Sequence, residues 1–226
     1  GILNTYKRFK ENYEQPVAID RDGQAAGRLR KMIRPFILRR LKKDVLKELP
    51  DKLEEVVFSR MGQEQRRIYD ANLQQLVLSL KKQGPEEFKA GKIEVLAALT
   101  RLRQLCCDPS LAYENYNGGA AKVETCLELV RNGVAAGNQI LVFSQFTQIL
   151  DILKKLLEKE GVGYYQLTGA TPKEKRAEMA NAFNQDGTPV FLISLKAGGT
   201  GLNLTAASMV IHFDPWWNMA AQNQAT

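Results

Sequence analysis

Between residues 139 and 214 the apolar positions fall into two rhythms. Short unbroken runs, Gln139–Phe143, Tyr164–Leu167, Val190–Leu195 and Met209–Asp214, are bounded by glycine or polar residues and read as buried strands. Between them the spacing switches to three and four. Phe146, Ile149, Leu150, Leu153 and Leu157 draw one stripe of a helix, which Gly161-Val162-Gly163 closes. Thr171-Pro172-Lys173-Glu174 has the form of a helix start, with a capping Thr, Pro at the first position and Glu three residues after the cap. That helix is predicted to reach about Phe183, and an earlier one spans Ala121–Ala136. Strand, helix and strand joined by short loops predict an α/β fold: a parallel sheet covered by helices on both faces.

The first half of the chain has a different pattern. Residues 1–50 read as helices broken at Pro35, and Leu49-Pro50-Asp51 is a further break. Glu55-Val56-Val57-Phe58 is a short strand candidate. Residues 63–82 and 86–107 read as a helical pair joined at Gly84-Pro85. In the second helix Ile93, Leu96, Leu99, Leu102 and Cys106 recur every three or four positions, and Asp108-Pro109 ends it. The resulting layout is a helical segment at 1–50, then an α/β body at 51–226 carrying a helical insertion at about 62–112.

Charge modifies this picture in one place. The net charge of +7 on 226 residues is concentrated near the start. Nine basic residues and one acid lie between Arg28 and Lys47. Such a run is either a solvated helix face or a surface for phosphates. The three cysteines, Cys106, Cys107 and Cys126, form no metal-ligand pattern beside a single histidine, and so sparse a set points to a reducing, intracellular setting. No apolar run approaches the length of a membrane span.

In an open parallel sheet, ligands meet the carboxyl ends of the strands. Four loops leave such ends here: Ser144-Gln145-Phe146, Thr168-Gly169, Lys196 to Asn203, and Asp214 to Asn218. Their hydroxyls, backbone N–H groups and glycines suit phosphate oxygens. Gly199-Thr200-Gly201 does not complete a dinucleotide fingerprint, because Leu204 stands where the third glycine belongs. A nicotinamide-type oxidoreductase or a methyltransferase is disfavoured on that ground. No Walker sequence occurs anywhere in the chain. Ser144 has no sequence-adjacent base, His212 sits inside an apolar strand as a structural residue, and Asp214 is the only acid after Asp186. Paired-carboxylate catalysis within this half is therefore unsupported. A non-catalytic interaction module, binding a protein or DNA through the helical insertion, stays open on residues alone.

Taken in order, the loops resemble the second RecA-like lobe of Swi/Snf-type DNA translocases, within the superfamily-two helicase-like ATPases. The resemblance rests on six blocks. Phe36-Ile37-Leu38-Arg39-Arg40-Leu41-Lys42-Lys43-Asp44-Val45 with Leu49-Pro50-Asp51-Lys52 is close to the inter-lobe block, and Leu102-Arg103-Gln104-Leu105-Cys106-Cys107-Asp108-Pro109 is similar to the helical-protrusion block. Leu141-Val142-Phe143-Ser144-Gln145-Phe146 resembles motif IV; Leu167-Thr168-Gly169 with Arg176 and Phe183-Asn184 resembles motif IVa. Ser194 to Thr205 resembles motif V, and Asp214-Pro215-Trp216-Trp217-Asn218 the approach to motif VI. Asp108 stands where the family more often has histidine, and Met219 where it usually has proline.

This resemblance implies a P-loop NTPase-like second lobe, preceded at 1–50 by the tail of a first lobe and the inter-lobe linker. It implies ATP and Mg as cofactors held mainly by the first RecA-like lobe, with none expected on this chain. Gly198, Gly199, Gly201 and Asn203 would line the nucleotide cleft. Ser144, Gln145, Thr168, Gly169, Lys196 and Trp217 would meet the tracked strand of double-stranded DNA without reading its sequence. Arg39, Arg40, Lys42 and Lys43 would face DNA or the other lobe. No arginine follows Arg176, so the motif VI arginines are expected to be missing and the chain is expected not to hydrolyse ATP alone. No catalytic residue and no metal ligand is assigned within it. RNA polymerase or other DNA-bound proteins are the partners expected of the whole motor, and no membrane is involved. The expected location is the cytoplasm and nucleoid if the source is bacterial, which the compact insertion favours, or the nucleus if it is eukaryotic.

Overall fold

A computed structural model describes residues 3, 5–19, 21–37, 53–82, 91–198 and 202–215. The expected roles of Arg39, Arg40, Lys42, Lys43, Gly199, Gly201 and Trp217, and the Gly84-Pro85 join, lie outside the described residues. The chain divides into two compact units, Gly1–Val56 and Val57–Thr226.

In the first unit, helical stretches at Tyr6–Phe9 and Gln15–Ala18 flank a π-helical stretch at Lys10–Glu14. Helix α1, Gly23–Ile33, follows. Asp22 caps it, its carboxylate accepting from the backbone N–H of Gln24 at 2.8 Å and Ala25 at 3.2 Å. The helix ends at Ile33, and Arg34 keeps helical dihedrals (φ −50°, ψ −40°); Pro35 follows, with no N–H to continue the ladder.

The second unit holds α2 (Gln63–Lys82), α3 (Lys92–Cys107) and α4 (Ala121–Ala135). Then come β1 (Ile140–Ser144), α5 (Thr147–Lys159), β2 (Tyr164–Leu167) and α6 (Lys173–Asp186). Strand β3 (Val190–Ser194), a single-turn α7 (Leu195–Gly198) and β4 (Met209–His212) complete it. The four strands form one parallel sheet in the order β2-β3-β1-β4. Alternate residues of each strand feed opposite faces. Ile140, Val142, Val190 and Leu192 pack with Cys126, Val130, Ile149 and Leu153, under α4 and α5. Leu141, Phe143, Phe191 and Ile193 pack with Phe183 and Leu167 on the other face, under α6. The expected two-faced α/β architecture is what forms.

Close approach is visible at Gly133 of α4. A Cβ there would lie 2.7 Å from Ile140 Cδ1 and 3.0 Å from Met209 Sδ, so glycine lets the helix sit down on the sheet. Gly161 stops α5 with a φ of 67°, a left-handed residue that costs nothing without a side chain. The insertion has its own small core of Leu76, Leu102 and Leu105, with Ile68 and Leu99 packed against it.

Two local expectations fail. Residues 53–60 form no strand, and Val56 and Phe58 are 76% and 89% exposed. Strand propensity there finds no neighbouring strand among the described residues, and without pairing an extended segment gains nothing from its branched side chains. Thr171 does not cap α6: its hydroxyl oxygen accepts from the backbone N–H of Thr168 at 3.1 Å instead. The hydroxyl stabilises the loop ahead of the helix rather than the helix itself.

Candidate functional site

The parallel register levels the strand ends. Ser144 lies opposite Ser194, Phe143 opposite His212 and Leu167 opposite Ile193. All four strands therefore discharge their loops at one edge of the sheet, in two pairs.

At the β1–β4 corner the polar groups turn inward. Ser144 is fully buried and its hydroxyl donates to Asp214 Oδ1 at 2.6 Å. The backbone N–H of Gln145 reaches the same oxygen at 3.2 Å, and that of Phe146 donates to Ser144 Oγ at 3.1 Å. Arg103, from α3 of the insertion, closes the cluster. Its Nη1 donates to Gln145 Oε1 at 3.0 Å, and its Nη2 donates to the Pro215 carbonyl and lies 3.7 Å from Asp214 Oδ2. Asp214 is 3% exposed at the side chain. Burial pushes its carboxyl above the usual carboxylate range, while the hydrogen bonds from Ser144 and Gln145 and the Arg103 charge pull the other way. Cys107 lies nearby in the core; burial first, then the Asp214 charge, push its thiol up to about 12, so it stays protonated at neutral pH.

These contacts correct the expectation for two residues. Ser144 and Gln145 do not face outward for a DNA strand. The Ser144 hydroxyl is committed to Asp214, and the Gln145 side chain lies against Arg103 with its Nε2 buried. A lone acid at the end of a buried strand draws in donors before it lets them face water. His212 is stacked on Phe143 with ring centroids 5.5 Å apart, in keeping with a structural residue in a strand.

At the β2–β3 corner the groups face water. Gly169 and Lys196 are exposed and Thr168 is half-buried. Arg176 of α6 ties the Thr168–Thr171 loop together, with Nε donating to the Thr171 carbonyl at 2.9 Å and Nη2 to the Gly169 carbonyl at 3.3 Å. Asn184 does the same for the segment after α7. Its Nδ2 donates to the Asn203 carbonyl at 2.8 Å and its Oδ1 accepts from the Ala206 N–H at 3.1 Å. Asn203 itself is exposed, and Gly198 ends α7. A Cβ added at Gly169 would meet nothing within 4 Å, so the space in front of this backbone is open. The corner offers an ammonium, a hydroxyl and an approachable backbone, a set that binds phosphate and sugar rather than base edges.

Sequence reasoning missed Arg103 and Asp214 as a pair. The signal was present in weak form, as one acid after a long acid-free stretch at a strand end, which needs a cation if it is buried. A cavity of about 310 Å³ between α2 and α3, lined by Asn72, Leu76, Val95, Arg101 and Tyr113, is remote in kind from the strand-end loops. No helix among the described residues is long and apolar enough to cross a membrane.

Comparison with known proteins adds a second line. A model of the helicase conserved C-terminal domain matches residues 121–226, and one of the SNF2-related domain matches residues 1–111. The chain is 38% identical over 234 residues to a Bacillus subtilis (strain 168) protein described as the putative ATP-dependent helicase/translocase YwqA, with 100% of this chain and 25% of that protein covered. It is 37% identical over 214 residues to the nuclear protein STH1/NPS1 of Saccharomyces cerevisiae, covering 88% of the chain and 16% of that protein. Among solved structures it is similar to the Sulfolobus solfataricus SWI2/SNF2 ATPase core domain, at a TM-score of 0.69 and 29% identity over 100% of this chain and 47% of that one. The same core in complex with dsDNA gives a TM-score of 0.66 at 29% identity, covering 99% and 48%. The chain thus spans about a quarter of the first of these relatives and about half of the solved cores.

Proposed function

Because the chain belongs to the SNF2 family of helicase-like ATPases, with SNF2-related and helicase C-terminal sequence in tandem, we propose that it contributes the second motor lobe of an ATP-dependent double-stranded-DNA translocase. In this reading residues 1–50 are the tail of a first lobe and the linker. Residues 51–226 are the second lobe, with its helical protrusion at about 62–112. The motor's action is to displace or remodel a protein bound to DNA, RNA polymerase being one candidate.

The observation that carries this reading is the solvent-facing β2–β3 corner. Thr168, Gly169 and Lys196 sit at the carboxyl edge of a parallel sheet, with open space in front of Gly169. Such a set holds a phosphodiester backbone without regard to sequence. On the family resemblance Trp217 would also meet DNA, and Arg39, Arg40, Lys42 and Lys43 would face DNA or the other lobe. The solved relative bound to dsDNA supports the choice of duplex.

Mg–ATP does not fit the described residues by themselves. The carboxylate at this edge, Asp214, is buried and committed to Ser144, Gln145 and Arg103. The 226 residues also contain no Walker sequence. Both facts support leaving the nucleotide mainly to the other lobe, with the Gly198–Asn203 segment lining its cleft, and support a chain that does not turn over ATP alone.

Duplex binding across a salt series tests the reading. The 226-residue chain is expected to bind unrelated duplexes equally, with affinity falling steeply as salt rises. Lys196→Ala should weaken binding and lower the log–log salt slope by about 0.9, one phosphate contact. Binding that prefers one sequence, or a slope unchanged by Lys196→Ala, would refute the assignment.

A further inference from the structure

Helix α1 of the first unit has one side that its fold uses and one that it does not. Ala25, Leu29 and Met32, spaced four and three apart, form the inner stripe. Ala25 is fully buried, Leu29 and Met32 are half-buried, and the Tyr13 hydroxyl donates to Met32 Sδ at 3.2 Å. By the same spacing the opposite side carries Gly23, Gly27, Arg30, Lys31 and Arg34, and all of them are exposed. Arg34 belongs to this side because its backbone stays helical. No acid lies within α1, and among the described residues the side chains of Arg30, Lys31 and Arg34 make no ion pair or hydrogen bond.

Two features separate this side from an ordinary solvated face. Solvated helices interleave acids with bases three or four positions apart. Here Arg30 and Arg34 stand four apart with the same sign, and Lys31 stands three before Arg34. The helix dipole favours a cation in the last turn but does not require three. Gly27 is the second feature. It is interior to the helix, where glycine is unfavourable. A Cβ there would meet nothing within 4 Å, so packing inside the unit does not demand it. What glycine does provide is a helix backbone that a partner can approach closely.

We propose that this side of α1 is a second docking surface for the phosphate backbone of duplex DNA, separate from the strand-end loops. Arg30, Lys31 and Arg34 take phosphate oxygens, and Gly23 and Gly27 leave room for the strand. The choice of duplex as partner rests on the function proposed above; the choice of surface does not. Charge density fits that partner. From Arg30 to Arg34 the helix rises about 6 Å, a length over which a duplex presents about three to four phosphates. Guanidinium forks match phosphate oxygens in pairs. A helix lying in a membrane surface would show apolar side chains outward beside its bases, whereas Ala25, Leu29 and Met32 face inward. Contacts of this kind go to the backbone alone and read no sequence.

The test is duplex binding by the 226-residue chain across a salt series. The combined Arg30→Gln, Lys31→Gln and Arg34→Gln variant is expected to lower the log–log salt slope by about 2.7, three phosphate contacts. Its far-UV spectrum and melting temperature should match the unmodified chain, because these side chains hold nothing in the fold. Gly27→Leu puts a side chain on the same face without changing charge. It is expected to keep the helix and to weaken duplex binding by about tenfold, since a strand held off the helix loses charge-assisted hydrogen bonds. An unchanged slope in the combined variant overturns the proposal and leaves the face to a protein partner. Unchanged binding by Gly27→Leu also overturns it, because the cations would then attract the duplex without seating it. If the combined variant does not fold, Arg30→Gln alone replaces it, with an expected slope change of about 0.9; no change there overturns the proposal. Lys196→Ala in the same series separates the two surfaces. A slope that responds to Lys196→Ala and not to the α1 variants refutes the α1 surface alone, and the reverse refutes the strand-end corner alone. If the unmodified chain binds no duplex, both fail.

Discussion

The β1–β4 corner and the β2–β3 corner terminate the same sheet at the same level, and their loops are held by opposite means. The first is organised around a buried carboxylate with a hydroxyl, a backbone N–H and a guanidinium directed at it. The second is organised by two polar side chains, Arg176 and Asn184, that bond to backbone groups near the surface. A buried charge with several donors tolerates no partial loss, because each remaining group is left desolvated. Surface side-chain-to-backbone bonds are exchanged for water at small cost. One corner is therefore a fixed post, and the other can adapt its loops to a ligand.

Asp214→Ala strikes the post and carries the largest expected effect. It leaves Ser144 without its acceptor and Arg103 without its counter-charge, and urea unfolding of the 226-residue chain should show a loss of about 3 kcal/mol. A loss under 1 kcal/mol would mean that the two corners do not differ in kind. Asp214→Asn sharpens the same point through pH. Burial holds the Asp214 carboxyl above its ordinary value of 3.8, so the folded chain binds this proton more readily than the unfolded chain. Stability of the unmodified chain relative to Asp214→Asn should then fall as pH rises from about 3.8 through the raised value, and level off above it. A relative stability that rises with pH over that window would show that the hydrogen bonds outweigh burial.

Smaller effects belong to the other corner. Arg176→Ala should cost about 1 kcal/mol by the same measurement, since water replaces its contacts to the Thr171 and Gly169 carbonyls. Gly169→Ala should change stability by no more than about 0.5 kcal/mol, because the added methyl meets nothing. Its effect should appear instead as weaker duplex binding, from a methyl standing where a phosphate approaches the backbone.

The sheet was legible in the sequence because strands buried on both faces are continuous apolar runs, as Ile140–Ser144 and Val190–Ser194 are. The α5 stripe was legible for the matching reason: Ile149, Leu150, Leu153 and Leu157 share one face and are all buried. What failed depends on partners that local pattern does not contain. Val56 and Phe58 have strand-forming side chains but no strand beside them among the described residues. Thr171 has a capping residue's chemistry, yet Thr168 N–H competes for its oxygen. The inward turn of Ser144 and Gln145 depends on Asp214 and Arg103, which are separated from them by tens of positions and joined only when β4 lies beside β1.

The strand order has a consequence for how the chain comes to be folded. Strand β1 is central, and Ile140 meets Val190 fifty positions on and Met209 sixty-nine positions on. On a ribosome, its Ile-Leu-Val-Phe run emerges well before either partner. Helices α4 and α5 bracket β1 in sequence and form from local contacts, so they can shelter that run on one side while synthesis continues. The other side waits for β3, and the Ser144–Asp214 bond cannot close until β4 has been made. Assembly of this edge thus has to wait for the synthesis of β4, and until then the Ile-Leu-Val-Phe run of β1 has one unpaired side.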